Sequence, residues 1–198
     1  MSMDNTHHGL IQDPTDKRLF LPTKKIKKVQ GTDVVITLQS MCRAIASSAP
    51  NCVGLAAPQI GSTAKIILVR DVDTGHWYAF VNPRIVAHSA EKKWGDEGCL
   101  SHPGIEAHIA RWEWIVLVGS DPKSGKEHRL RLEDSDQKIY PSMCRIVQHE
   151  IDHLDGILIT EKGMDCKHIL VTGAGQEVQF AAHRKNLEEG YAPIESAE

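Results

Sequence analysis

Residues 148–154 read Gln148-His149-Glu150-Ile151-Asp152-His153-Leu154, and the His-Glu-x-x-His pattern at their centre organises the reading of the whole chain. Pro141 precedes the stretch and Gly156 follows it. Proline suits the opening of a helix and glycine its end, so a helix is predicted from Pro141 through about Leu154. On a helix, positions i and i+4 share a face, with side-chain origins about 5–6 Å apart. His149 and His153 can therefore grip one metal ion, and Glu150 can reach a water beside it. The chemistry needs all three groups: two neutral nitrogen donors, and a carboxylate that takes up a proton and later returns it. Asp152 falls on another side of the helical wheel, which fits a supporting task better than catalysis.

Two histidines do not complete a catalytic metal site, which usually has three protein ligands and one open position. The chain holds five cysteines, Cys42, Cys52, Cys99, Cys144 and Cys166. Cys99 stands out because it sits in Glu97-Gly98-Cys99-Leu100-Ser101, a short polar, glycine-bearing segment. Cys42 and Cys144 lie among residues at helical spacing, where a thiol is most often a small buried hydrophobe. Cys166 lies in a polar stretch without a partner motif. A third segment, Gly54-Leu55-Ala56-Ala57-Pro58-Gln59-Ile60-Gly61, has glycines at both ends that let backbone approach a ligand closely. It lacks the lysine and hydroxyl residue of a phosphate loop, and by itself it reads as an ordinary loop before a strand.

Together, Cys52 to Gln59, Glu97 to Ser101 and Gln148 to Leu154 resemble, in order and separation, the three motifs of the peptide deformylase family. The resemblance covers about residues 20–165. One departure is plain: Cys52 stands where the family usually has a glycine. The resemblance implies an α+β fold in which antiparallel strands wrap around a central helix carrying the His-Glu-x-x-His motif. It implies Cys99, His149 and His153 as ligands of one divalent metal, with Fe2+ expected in cells and Zn2+, Ni2+ or Co2+ in purified protein. It implies Glu150 as the proton-transfer group, with the Gln59 amide and the Leu100 backbone N–H as donors to the carbonyl oxygen. The implied substrate is N-formylmethionine at the start of new polypeptides, deformylated with release of formate. Gly54 would offer backbone bonds to an added strand, Val53 and Ile146 would help line a methionine pocket, and Glu106 would face the substrate. Glu97 and Arg111 resemble a family pair that braces the Cys99 segment.

Composition bounds the rest. The chain has 198 residues and a formal charge of −3, long enough for one core and without a bulk basic field to attract nucleic acid. The run Lys24, Lys25, Lys27, Lys28 reads as a solvated face. An odd number of cysteines without repeating spacing argues for a reducing compartment. No apolar run approaches a membrane span, and the first residues lack a signal-peptide core. A cytoplasmic enzyme is expected, with neither membrane nor nucleic acid bound, and the resemblance implies nascent chains as partners with the ribosome a candidate contact.

Three parts are expected along the chain: a loose polar arm over residues 1–18, one catalytic domain over 19–175, and a C-terminal extension over 176–198 with helical character. Val34, Val35, Leu38, Met41, Cys42 and Ile45 carry near-helical spacing within Thr32 to Ala49. Strands are predicted at Lys65 to Val69, Trp77 to Val81, Arg84 to Ala87, Trp112 to Gly119 and Glu127 to Leu132. Gly75, Asn82-Pro83 and Ser124-Gly125 are the turns between them. Besides a deformylase homologue acting on another formylated or acylated amine, two other functions compete with the deformylase reading. One is a zinc peptidase of the ordinary His-Glu-x-x-His kind, which commonly takes a downstream ligand. The other is a catalytically weak binding protein on the same fold, which Cys52 would support and intact Glu150, Cys99 and Gln59 oppose.

Overall fold

The computed structural model describes residues 9–48, 52–134 and 141–168. The expected C-terminal extension, Cys166's side chain and residues 1–8 of the expected arm lie outside the described set.

Helix α1 spans Thr32–Ser48. Its buried residues Val34, Leu38, Met41 and Ile45 recur at helical spacing and pack with Leu55, Ile60, Ile66, Leu68 and Trp77 in one core cluster. Val35, grouped with that face in the sequence, is exposed. The strands are β1 (Gly54–Ala56), β2 (Ile66–Arg70), β3 (Trp77–His88), β4 (Lys92–Cys99), β5 (His102–Trp112), β6 (Trp114–Ser120), β7 (Glu127–Glu133) and β8 (Met164–His168). They form an antiparallel five-stranded sheet, β1-β2-β3-β6-β7, and an antiparallel three-stranded sheet, β4-β5-β8. Helix α2 covers Met143–Leu154 and a short α3 covers Ile159–Lys162. The α+β class with antiparallel sheets agrees with the expectation.

Ser142 opens α2, its hydroxyl accepting from the Arg145 N–H at 3.2 Å. Pro141 therefore precedes the cap, and Gly156, at φ +74°, ends the turn as expected. Cys144, Val147 and Leu154 of α2 are buried with Ile67, Val69, Phe80, Ile115 and Leu117 of the larger sheet. Each such aliphatic side chain contributes about 1.5–3 kcal/mol on burial, so this shared core fixes the helix against the strands. The helix also touches β5 of the smaller sheet. The polar face that carries the candidate ligands is thereby held between a rigid sheet and a hairpin.

Several local expectations are corrected. Asn82-Pro83 is a bulge inside one long β3 and not a turn between two strands: the register shifts between Val81 and Arg84. Asn82 takes φ +53° there, a conformation asparagine tolerates better than most residues. Its side chain exchanges hydrogen bonds with the Ile26 backbone at 2.7 and 2.8 Å, which pays for the strain. The strand expected from Trp112 is divided, because Trp112 closes β5 and β6 starts at Trp114. The described part of the expected loose arm is docked: Ile11 is buried and its N–H donates to the Gln59 carbonyl at 2.8 Å. The Gly54–Gly61 loop is a short strand followed by a 3-10 turn over Ala57–Ile60.

On β7 the exposed positions are Glu127, Arg129, Arg131 and Glu133, so one edge of the larger sheet is charged. Cys42, Cys52, Cys99 and Cys144 are free thiols. No helix among the described residues is long and apolar enough to cross a membrane.

Candidate active site

Period-2 alternation along β4 sends Glu97 and Cys99 to the same, buried side, while Gly98 between them is exposed. That side faces α2, where one turn of helix separates His149 from His153. The ligand atoms of Cys99, His149 and His153 all lie within 4.8 Å of one another, and Cys99 Sγ is 3.2 Å from His153 Nε2. One soft thiolate with two imidazoles is a donor set suited to a divalent transition metal. No metal or ligand is part of the structure, and the convergence of these three donors is the observation that tests the fit. The set fits.

The Glu97 carboxylate orients this set. Arg111 donates to both of its oxygens, Nε to Oε1 at 2.8 Å and Nη2 to Oε2 at 2.7 Å. Arg145 Nη1 adds a bond to Oε1 at 2.9 Å, and His149 Nδ1 lies 3.0 Å from Oε2. With Glu97 ionised, His149 Nδ1 must be the donor, which leaves Nε2 free to act as a ligand. Burial raises the Glu97 pKa, but the hydrogen bonds from Arg111 and His149 outweigh it and hold the group well below the usual carboxylate range. Arg111 also pairs with Asp152, which Lys162 Nζ contacts at 2.6 Å. Asp152 thus supports the brace from outside the ligand set.

Glu150 follows His149 on α2 and is 3% exposed. Burial pushes its pKa up to about 7, near the value at which a carboxylate both accepts and returns a proton in neutral water. Its Oε2 is buried without a hydrogen-bond partner among the described residues. The space it occupies exists because residue 54 is glycine: a Cβ there would lie 2.3 Å from Glu150 Oε1 and 2.7 Å from Ile146 Cγ2. Burial also drives His153 well below the ordinary imidazole pKa. Burial opposes charge on His149 as well, but its bonds with Cys99 and Glu97 dominate and raise it.

Gln59 is held by its own backbone neighbourhood, its Oε1 accepting from the Ala56 N–H at 2.8 Å. That bond turns Nε2 toward Ser101 Oγ, 3.3 Å away, and Cys99 Sγ, 4.0 Å away. A cavity of about 380 Å³ adjoins Cys99 and His149, and Val53, Gly54, Gln59, Leu100, Ile146 and Glu150 are among the other residues lining it. Glu106 is the exception to the expected set. It does not line the cavity, whereas Ile105 does, because alternation along β5 turns the two residues to opposite faces.

Arg145 was missed in the sequence, although it is 6% exposed and bonded to Glu97, to the Ile109 carbonyl at 3.1 Å and to the Lys93 carbonyl at 2.9 Å. The available signal was a charge between Cys144 and Ile146 on an otherwise apolar turn. Ser101 and the β4–β5 hairpin were likewise missed. Its β5 half does alternate, with Ile105, Ala107 and Ile109 inward, but the β4 half that carries Cys99 has no apolar run to mark it.

A family model described as polypeptide deformylase matches residues 9–168. The peptide deformylase of Chloroflexus aggregans is 35% identical over 161 residues, spanning 72% of this chain and 82% of that protein. The crystal structure of peptide deformylase from Thermotoga maritima, 28% identical, superposes with a TM-score of 0.68 over 80% of this chain and 99% of that one. A class I type b peptide deformylase from Acinetobacter baumannii, solved with Met-Ala-Ser bound and 25% identical, gives 0.66 over 80% and 99%.

Proposed function

The chain belongs to the polypeptide deformylase family, and on that basis we propose how its own residues carry out the family's reaction. The protein is an enzyme that removes the formyl group from N-formylmethionine at the N-terminus of newly made polypeptides and releases formate. The observation that carries the assignment of roles is the convergence of Cys99, His149 and His153 within 4.8 Å, beside a buried Glu150 with an unpartnered oxygen.

Cys99, His149 and His153 would hold one divalent metal, which would supply a Lewis acid and lower the pKa of water toward neutrality. Glu150 accepts a proton from the attacking water and delivers it to the leaving amine. The Gln59 amide and the Leu100 backbone N–H donate to the formyl oxygen as negative charge grows there. Glu97 keeps His149 in the tautomer that binds metal, and Arg111 and Arg145 keep Glu97 in place. Gly54 offers backbone bonds to the peptide, and Val53 and Ile146 border the methionine side chain. The Met-Ala-Ser bound by the Acinetobacter baumannii protein is the kind of product this cavity releases.

Ferrous iron is the working ion in cells, with zinc, nickel and cobalt accepted in its place. One thiolate beside a ferrous ion makes the site sensitive to oxidation. A single catalytic domain over residues 19–175 carries the chemistry, and the family match from residue 9 adds the docked Ile11 segment to it. The enzyme works in the cytoplasm on nascent chains, in reach of the ribosome.

The test is formate release from formyl-Met-Ala-Ser by protein purified without oxygen and assayed for bound metal, beside a casein digestion. Formate without casein cleavage is the expected result. Casein cleavage without formate would assign a peptidase, and neither activity in metal-loaded protein would leave a binding protein.

A further inference from the structure

β1 is an edge strand of the larger sheet, and its backbone polarity decides what can dock on it. The Arg70 N–H donates to the Val53 carbonyl at 2.8 Å. In an antiparallel ladder, bonded and non-bonded pairs alternate, so the Val53 carbonyl and the Leu55 backbone groups face β2. Gly54 and Ala56 turn theirs away from the sheet. The Ala56 N–H follows this rule, being taken by Gln59 Oε1. The Gly54 N–H and carbonyl are thus presented on the open side of a residue that lines the cavity, which is where a peptide adding as a strand would pair.

The Gly54 carbonyl is already engaged. Cys52 Sγ lies 2.8 Å from it, placed to donate its S–H. The thiol is 3% exposed and packed in the cluster of Val34, Leu38 and Met41. Burial holds its pKa well above the ordinary thiol value, so the sulfur keeps its proton and remains a donor.

We propose that the Cys52 thiol occupies the carbonyl that an incoming peptide N–H must use, and that Cys52 thereby sets the affinity of the β1 edge for peptides. The proposal rests on the deformylase reading of the cavity. A peptide N–H is the stronger donor and displaces the S–H, but the displaced thiol stays buried without an acceptor. That cost appears in substrate binding and not in the chemical step, because among the described residues the Cys52 thiol is bonded to the Gly54 carbonyl and to neither the ligand set nor Glu150. A glycine at this position, as the family usually has, carries no such cost.

The experiment compares metal-loaded wild type with Cys52→Ala, Cys52→Gly and Cys52→Ser. KM for formyl-Met-Ala-Ser is read from formate release, and the dissociation constant of Met-Ala-Ser from calorimetry. Cys52→Ala and Cys52→Gly should lower both constants by about two- to tenfold, the weight of one net hydrogen bond, with kcat unchanged within about twofold by the same argument. Cys52→Ser keeps a donor, and a stronger one, so both constants should stay at or above the wild-type values. Cys52→Gly serves as the second donorless variant if Cys52→Ala fails to fold. Equal constants in the serine and donorless variants, or weaker binding on removing the thiol, would overturn the proposal. Absence of formate release from wild type would count against the enzymatic reading instead, while calorimetry with Met-Ala-Ser still scores the Cys52 contact.

Discussion

Arg145 Nη1 donates to Glu97 Oε1 across 2.9 Å, joining α2 to β4 over a sequence separation of 48 residues. The same guanidinium packs flat against Gly95, where a Cβ would lie 3.0 Å from Arg145 Cζ. Because Glu97 also holds His149, one buried cation links the hairpin that carries Cys99 to the helix that carries the histidines. Replacing Arg145 by Met leaves Glu97 and Asp134 with one fewer cation each and removes the guanidinium's bonds to the Ile109 and Lys93 carbonyls. Urea unfolding should show a loss of about 3–5 kcal/mol, the usual result of removing one partner from a buried pair. Arg145→Lys should recover part of it. An unchanged unfolding midpoint for Arg145→Met would mean that Arg111 alone suffices.

Cys99→Ser replaces a soft thiolate by a hydroxyl that binds transition metals poorly. Metal content after gel filtration should fall well below one ion per chain, while Cys42→Ser, on α1 and away from the ligand set, should leave it intact. Full occupancy in the Cys99 variant would remove this residue from the ligand set.

Glu150→Gln keeps the shape of the side chain and discards its basic site. The variant should retain metal and lose about 10²–10⁴ in kcat, the ordinary weight of general acid–base catalysis. Loss of metal in place of turnover would make Glu150 a structural group.

Gly54→Ala places a methyl 2.3 Å from Glu150 Oε1 and 2.7 Å from Ile146 Cγ2. A short strand paired to β2 cannot retreat far, so the carboxylate must move. A displacement near 1 Å costs on the order of 10² in rate, and kcat should fall by about that factor with metal content unchanged. Wild-type turnover in Gly54→Ala would show that Glu150 has room it does not use.

Legibility in the sequence followed the range of the interaction. His149, Glu150 and His153 owe their convergence to the pitch of one helix, so spacing alone revealed them. Cys99 and Gln59 were readable because their flanking residues resemble family motifs. The β4–β5 hairpin was not, because the inward positions of β4 are Gly95, Glu97 and Cys99, which serve the site and not an apolar core. Arg145 was hidden because its partner lies far away in sequence, and a helix pattern alone cannot say that a buried charge is paired. Glu106 was misplaced by counting from Cys99 without knowing that β5 alternates there. The Asn82 bulge looks like a turn locally, and only the side-chain bonds to Ile26 distinguish it.

The two edges of the larger sheet are built on opposite terms. At β7, Glu127, Arg129, Arg131 and Glu133 stand along the open side, so a second molecule arriving there would bury charge to pair its backbone. At β1 the residues are Gly54, Leu55 and Ala56, with no charge among them. Pairing a second copy at β7 would desolvate these four ionised side chains, a cost that the uncharged β1 edge does not impose. Aggregation should therefore follow loss of the β7 charges: neutralising Glu127, Arg129, Arg131 and Glu133 together, which leaves the formal net charge at −3, should lower solubility without touching turnover.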